Sequence, residues 1–303
     1  MINNKKVAVV TGSSTGIGYE TCLSLAHNGY ITYATMRDLK KSKKIEKIAH
    51  ENNLSIEIVE MDVDKDESVK NAIENIIDEN GQIDILVNNA GYGLFGALED
   101  IALREIKNQF ETNVFGVIRV TQNVLPTMRS QRNGIIINIS SISGLVGIPS
   151  QSVYVATKFA VEGLSESMSY ELEPLGIKVI LIEPGPINTD FVQDLIVPIN
   201  RYEIDKNKNQ IDEDEFKDNT LLSPYNNTIK KFLTFYYNAM INAPYPRIVA
   251  DTIIQSIEKV SKERNESNLL RVTVGKDSEK YSKLKKELKE NEFYKTIKED
   301  LLK

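Results

Sequence analysis

Apolar positions along this chain come in short continuous runs separated by amphipathic stretches, and the two alternate as far as Pro186. Val7-Ala8-Val9-Val10 is a mostly β-branched run closed by Thr11-Gly12, the pattern of a buried parallel strand opening into a loop. A helix follows from Ile17 to about Asn28 and ends at Gly29, which suits the left-handed position after a helix. Tyr30–Thr35, Ser55–Glu60, Ile83–Val87, Ile135–Ile139 and Lys178–Ile182 read as further strands. Between them the spacing predicts a Lys-rich helix to about Asn52 and a helix from about Glu67 to Asn80, ended by Gly81. Two more cover Ile101–Phe110 and Val114–Ser130, and a long one covers about Ser152–Glu173. Strands and helices at this rhythm imply an α/β fold: a doubly wound parallel sheet, with helices on both faces and right-handed crossovers. Periodicity does not distinguish one such fold from another. It does place ligands at the carboxyl ends of the strands, where the strand order reverses.

Beyond Pro186 the pattern breaks. Residues 200–220 are rich in Asn, Asp, Glu and Lys and are expected to be mobile. Helices return at Thr228–Ile241 and Pro246–Val260, and Leu270–Val274 reads as a last strand. The tail, Asp277–Lys303, reads as one charged helix with apolar Tyr281, Leu284, Leu288 and Phe293. The expectation is a single domain over 1–303, with an inserted substrate lid at about 187–245 and a helical tail at about 277–303.

Composition narrows the function classes. The 303 residues are 41% apolar and 26% charged, as in an ordinary globular protein. A net charge of −6 argues against nucleic acid or an anionic membrane as partner. One cysteine, Cys22, excludes an internal disulfide, and with only His27 and His50 beside it no metal site is expected. These three read as packing or surface residues. The longest apolar runs are strand-length, and Thr11–Ser14 interrupts the first of them, so neither a membrane span nor a secretory signal is expected. A soluble cytoplasmic protein is the expectation.

Chemistry enters at the first strand's end. Gly12, Ser14, Thr15, Gly16, Ile17 and Gly18 form a Gly-rich turn into the first helix, where glycines let the backbone approach a pyrophosphate favoured by the helix N-terminus. A Gly-rich turn alone could be only a turn; its place after strand one favours a dinucleotide. The three-residue gap between Gly12 and Gly16 departs from the usual fingerprint, and no Lys-Ser/Thr of an NTPase loop follows.

That loop, with Asn88-Asn89-Ala90-Gly91, Ser141, Tyr154-x-x-x-Lys158 and Pro184-Gly185, resembles the short-chain dehydrogenase/reductase family over about residues 5–190. Ala34-Thr35-Met36-Arg37 and Arg271-Val272-Thr273-Val274-Gly275 look like its 17β-hydroxysteroid and retinol dehydrogenase branch. The resemblance implies a Rossmann-type sheet of order 3-2-1-4-5-6-7, a nicotinamide cofactor and an alcohol, aldehyde or ketone as substrate. It makes Tyr154 the acid/base and Lys158 the group that lowers the tyrosine pKa and holds the nicotinamide ribose. Ser141 would bond the substrate oxygen, and Asn113 would hold a water for the proton relay. It assigns Asn89, Ala90, Gly91, Asp62 and Val63 to the adenosine side, and Pro184, Gly185, Ile187 and Thr189 to the nicotinamide side. Plainer roles stand beside these. Tyr154 and Lys158 suit a solvated helix pair, Ser140 competes with Ser141, Asp62 suits a helix cap, and Asn88, Asn89 and Pro184-Gly185 suit turns.

For the coenzyme, the family's acidic ribose-binding position falls on Met36, and Arg37 follows, able to grip a 2′-phosphate. NADP(H) is therefore expected, with NAD(H) the other option if Asp38 serves the ribose. Leu94, Phe95, Leu145, Val146 and Phe191 are expected to line an apolar substrate site. Copies of the chain are the expected partners, a homodimer or homotetramer through helices at about 113–130 and 152–173. The rival to an enzyme is a non-catalytic sensor or scaffold that keeps fold and cofactor. Another reaction on the same fold, such as epimerisation, is disfavoured by the glycine spacing.

Overall fold

The structure is a computed structural model that describes residues 5–198, 201–202, 222–262 and 267–302. Seven parallel strands form one sheet: β1 (Val7–Val10), β2 (Ile31–Met36), β3 (Ile56–Glu60), β4 (Ile85–Asn88), β5 (Gly134–Ile139), β6 (Ile177–Pro184) and β7 (Leu269–Val274). Their order is β3-β2-β1-β4-β5-β6-β7, so the sheet reverses direction of growth between β1 and β4. That matches the Rossmann-type order expected from the family.

The strands read as continuous apolar runs because both faces are covered. Ala8, Val10, Ile85, Val87, Ile137 and Ile139 point to one face, against α1 (Gly16–His27) and α8 (Arg247–Lys262). Val7, Val9, Leu86 and Ile136 point to the other. There they meet α3 (Asp66–Asn80), α5 (Gly116–Gln131) and α6 (Ser152–Leu172). The edge β2–β3 is covered by α2 (Lys43–Glu51). Cys22 packs inside the first core, and the His27 ring bonds the Leu23 carbonyl at 2.7 Å.

α4 (Leu103–Phe110) does not end before α5: a π-helical turn, Glu111–Phe115, joins them. Such wide turns gather at functional sites.

The expected lid falls in two parts. Ile187–Val197 crosses the sheet's carboxyl edge, pairing through Leu94 and Ile196 and through Phe95 N–H with the Ile196 carbonyl. The second part is α7 (Asn226–Ile241). Most of the polar 200–220 segment lies outside the described residues. Its described flanks converge on buried Asp100, which accepts from Tyr202 Oη (2.7 Å), Ser223 Oγ (2.5 Å) and Arg201 (2.9 Å). Burial alone would raise that carboxyl, but these donors together hold it below the ordinary range.

The tail differs from the single helix expected. It forms α9 (Lys276–Glu287) and α10 (Glu290–Leu301), broken at Leu288, whose backbone is extended. Leu288 turns into an apolar cluster with Phe293, Ile297 and Leu301, so the break lets both helices lay their apolar faces on one core. Among the described residues no helix is long and apolar enough to cross a membrane.

Candidate active site

At the carboxyl edge of β1 and β4 the backbone is held close by side chains. Thr11 Oγ1 accepts from the N–H groups of Asn89 and Ala90, both at 2.9 Å, while Asn89 Nδ2 donates back to the carbonyls of Thr11 and Gly12. Gly12 is left-handed, and a Cβ there would stand 2.8 Å from Ala90 Cα. Only glycine fits this approach. Gly18 faces away from the cavity: a Cβ on it would strike Asn89 Nδ2 and the Gly12 carbonyl, so its part is to let α1 sit tightly on the loop. Asn88 points inward and links strands: its Nδ2 donates to Thr121 Oγ1 and to Asn138 Oδ1, and Asn138 donates to Ser165 of α6.

These turns open onto a cavity of about 750 Å³. Of the residues expected at the site, Gly12, Ser14, Thr15, Gly16, Ile17, Arg37, Asp62, Val63, Asn89, Ala90 and Gly91 line one part of it. Ser141, Tyr154, Lys158, Pro184, Gly185, Ile187 and Thr189 line the rest. Gly18 and Asn113 stand behind the wall. Asn113 lies in the π turn, with Nδ2 donating to the Tyr92 carbonyl and Thr157 Oγ1 and Oδ1 accepting from Tyr92 N–H. Its amide is a brace between the β4 loop and α6.

A dinucleotide fits this lining. The N-terminus of α1 has no side-chain cap and no acidic residue in its first turn, which leaves its N–H groups and positive end for a phosphate. β2 ends at Met36, and exposed Arg37 is the next residue on the rim. Asp38 also lines the cavity, but its Oδ1 accepts from Lys40 N–H at 3.0 Å. Asp62 Oδ1 caps Asp64 N–H at 3.1 Å.

The reactive end is buried. Ser141 stands two residues beyond β5, with Oγ accepting from Ser143 N–H at 3.1 Å. Tyr154, in the first turn of α6, is packed edge-on by Phe95 (5.8 Å between ring centroids) and Phe191 (5.9 Å). Burial pushes its phenol up to about 12, while Ser141 pulls the other way. Lys158 lies one turn on, and burial draws its ammonium down to about 8 against the opposing charge of Glu162. The ammonium donates to the Ile139 carbonyl at 2.8 Å and stands 5.7 Å from the Tyr154 ring centroid. Burial is the largest influence on both groups.

The apolar part of the cavity was half anticipated. Phe95 and Phe191 line it, whereas Leu94, Leu145 and Val146 do not. Leu94 packs with Ile101 and Val153, and Val146 is buried behind the Ser141 turn. Their places are taken by Phe232, Phe235, Tyr236 and Met240 of α7, and by Tyr281 and Leu301 of the tail. The positions 232, 236 and 240 repeat every helical turn, a stripe visible in the sequence, but nothing local says which cavity it faces.

Comparison with known proteins agrees with this geometry. The family model for short chain dehydrogenase matches residues 6–197. The 3-ketodihydrosphingosine reductase of Bacteroides thetaiotaomicron is 45% identical over 186 residues, 61% of this chain and 65% of that protein. Retinol dehydrogenase 8 of Bos taurus is 40% identical over 207 residues, 67% of this chain and 66% of that protein. The chain thus spans just under two thirds of the length of these relatives. A solved short-chain dehydrogenase from Streptomyces avermitilis superposes with a TM-score of 0.76 at 26% identity, covering 98% of both chains. ElxO with NADP bound superposes with a TM-score of 0.67 at 28% identity, covering 89% of this chain and 97% of that one. With the family model matched over residues 6–197 and the fold shared with these solved structures, the chain belongs to the short-chain dehydrogenase family.

Proposed function

We propose that the protein is an NADP(H)-dependent reductase or dehydrogenase that interconverts an apolar carbonyl compound and its alcohol. The observation that carries this reading is convergence. Ser141, Tyr154 and Lys158 share one cavity with the glycine turn and Arg37, and apolar side chains close its far end.

A bound nicotinamide would supply the hydride chemistry at the substrate carbon. The residues do the rest. Ser141 Oγ and Tyr154 Oη are the donors placed to hold the carbonyl oxygen as charge develops on it. Tyr154 gives that oxygen its proton, and the buried phenol, protonated at neutral pH, is already in the acid form that reduction needs. Lys158 offsets the charge left on the phenolate. Phe95 and Phe191 keep water from the ring, which strengthens each of these interactions. Asn113 holds the β4 loop against α6.

Arg37 supports NADP(H): it is exposed on the cavity rim, and its charge already reaches Asp64 in the same lining, where it opposes the rise that burial gives that carboxyl. NAD(H) is the second reading, favoured by Asp38 on the same rim. The names of the two relatives, a ketosphingosine reductase and a retinol dehydrogenase, fit an apolar substrate. Exposed Phe115, at the start of one of the two helices expected to pair, and Phe159, two turns into the other, support assembly with a second copy. The test is spectrophotometric: coenzyme oxidation with a panel of aldehydes, ketones, sterols and retinoids. Turnover of apolar carbonyls is expected. Coenzyme binding without turnover of any of them would leave the scaffold reading.

A further inference from the structure

The tail helices are joined to the site at both ends. At the start of α9, Ser278 is fully buried, and its Oγ donates to the Glu183 carbonyl at 2.7 Å. Gly185 lies under the same turn, where a Cβ would meet Ser278 N at 3.2 Å. α9 also packs on the turn that follows Ser141. At the far end, Asp300 Oδ2 accepts from Lys280 Nζ at 2.6 Å and from Tyr281 Oη at 3.1 Å, so the last turn of α10 is tied back to α9. The next residue is Leu301. It is buried in the cluster of Phe95, Tyr154, Phe232 and Tyr281, and with Tyr281 it lines the cavity that holds the Tyr154 phenol.

We infer that α10 is the end wall of the substrate site, that Leu301 sets how far an apolar substrate extends beyond its carbonyl, and that the Asp300–Lys280–Tyr281 tie holds that wall in place. Three features point this way. α10 packs on α7, which supplies Phe232, Tyr236 and Met240 to the same lining. The break at Leu288 turns the chain so that Leu301 returns to the site rather than continuing outward. The tie joins two charged side chains and a buried phenol beside an otherwise apolar wall, where a plain packing helix needs none of them. The substrate class this selects is an apolar ketone or alcohol whose tail is limited in length by Leu301. The inference rests on the reductase reading for its substrate, and the test separates the two.

The test measures binding of a homologous series of straight-chain 2-alkanones by calorimetry to the full chain saturated with NADP+, which cannot reduce them. Each added methylene should tighten binding about fourfold until the chain meets the wall, after which affinity levels off. Leu301→Trp should move that break to shorter ketones and Leu301→Ala to longer ones. A folding defect would weaken every ketone alike and could not move the break in opposite directions. Asp300→Asn should blunt the break while leaving NADPH affinity unchanged. A break at the same length in all three variants, or ketones that do not bind the wild-type chain at all, would overturn the inference. If the break moves as expected but no ketone is reduced, the wall stands and the reductase reading falls. If ketones are reduced and the break stays put, the reverse holds.

Discussion

Lys158 reaches past the Tyr154 phenol: its Nζ donates to the Ile139 carbonyl at 2.8 Å and lies 5.7 Å from the tyrosine ring centroid. The pair is therefore set as an acid with a cation in reserve. Burial, the largest influence on both, keeps the phenol protonated and weakens the ammonium's hold on its proton.

Tyr154→Phe removes the proton and little else, since the ring keeps its contacts with Phe95 and Phe191. Turnover should fall by about a hundredfold to ten-thousandfold, with NADPH affinity unchanged by fluorescence titration. Ser141→Ala should cost about a hundredfold in kcat. Near-full activity in Tyr154→Phe would put the acid elsewhere.

The pH profile should follow Lys158. Its ammonium is drawn down to about 8, so the charge is present below that pH and lost as pH rises through it. Reduction, measured as kcat/KM, should be flat near neutrality and fall above about pH 8. Lys158→Arg, whose charge does not titrate in this range, should be slower but lack that limb. A limb that survives the substitution would belong to another group.

Arg37→Asp should reverse coenzyme choice. One bidentate phosphate contact is exchanged for a carboxylate that repels the phosphate, so the ratio of kcat/KM with NADPH to that with NADH should drop at least about tenfold. A wild-type preference for NADH, or a ratio the change leaves alone, would hand the role to Asp38.

Glu183 should give the fold a pH dependence of its own. Its carboxyl is buried on β6 and pushed up to about 7, chiefly by burial, with Glu162 adding to the rise and Arg271 and Lys286 opposing it. Its folded value lies above its unfolded one, so its contribution to stability is complete below the unfolded value and is lost as pH rises through about 7. Thermal melts of the wild type should drop between mildly acidic and mildly alkaline buffer, and Glu183→Gln should flatten that drop. An unchanged slope would place the titration in another group.

What the sequence by itself determined is the part encoded locally. A continuous β-branched run such as Val7–Val10 needs cover on both faces, and Gly12 needs a left-handed turn at that strand's end, so strand, loop and phosphate site were legible together. Tyr154 and Lys158 share a helix face by spacing alone. What only the tertiary structure decided is what meets across the chain. Leu94 stands next to a site motif in sequence yet packs into another cluster, and Val146 joins the site's own cluster without reaching the cavity, while Phe232, Tyr281 and Leu301 arrive from far along the chain. The tail looked like one charged helix because Tyr281, Leu284 and Leu288 keep a helical period, although Phe293, five residues on, falls off that face. It breaks at Leu288 because a single straight helix could not press Leu288, Phe293 and Leu301 onto one core. Proximity of Lys158 to Tyr154 was readable too. Which side chains close over the tyrosine ring was not, because Phe95 and Phe191 come from distant segments and only the folded chain brings them there.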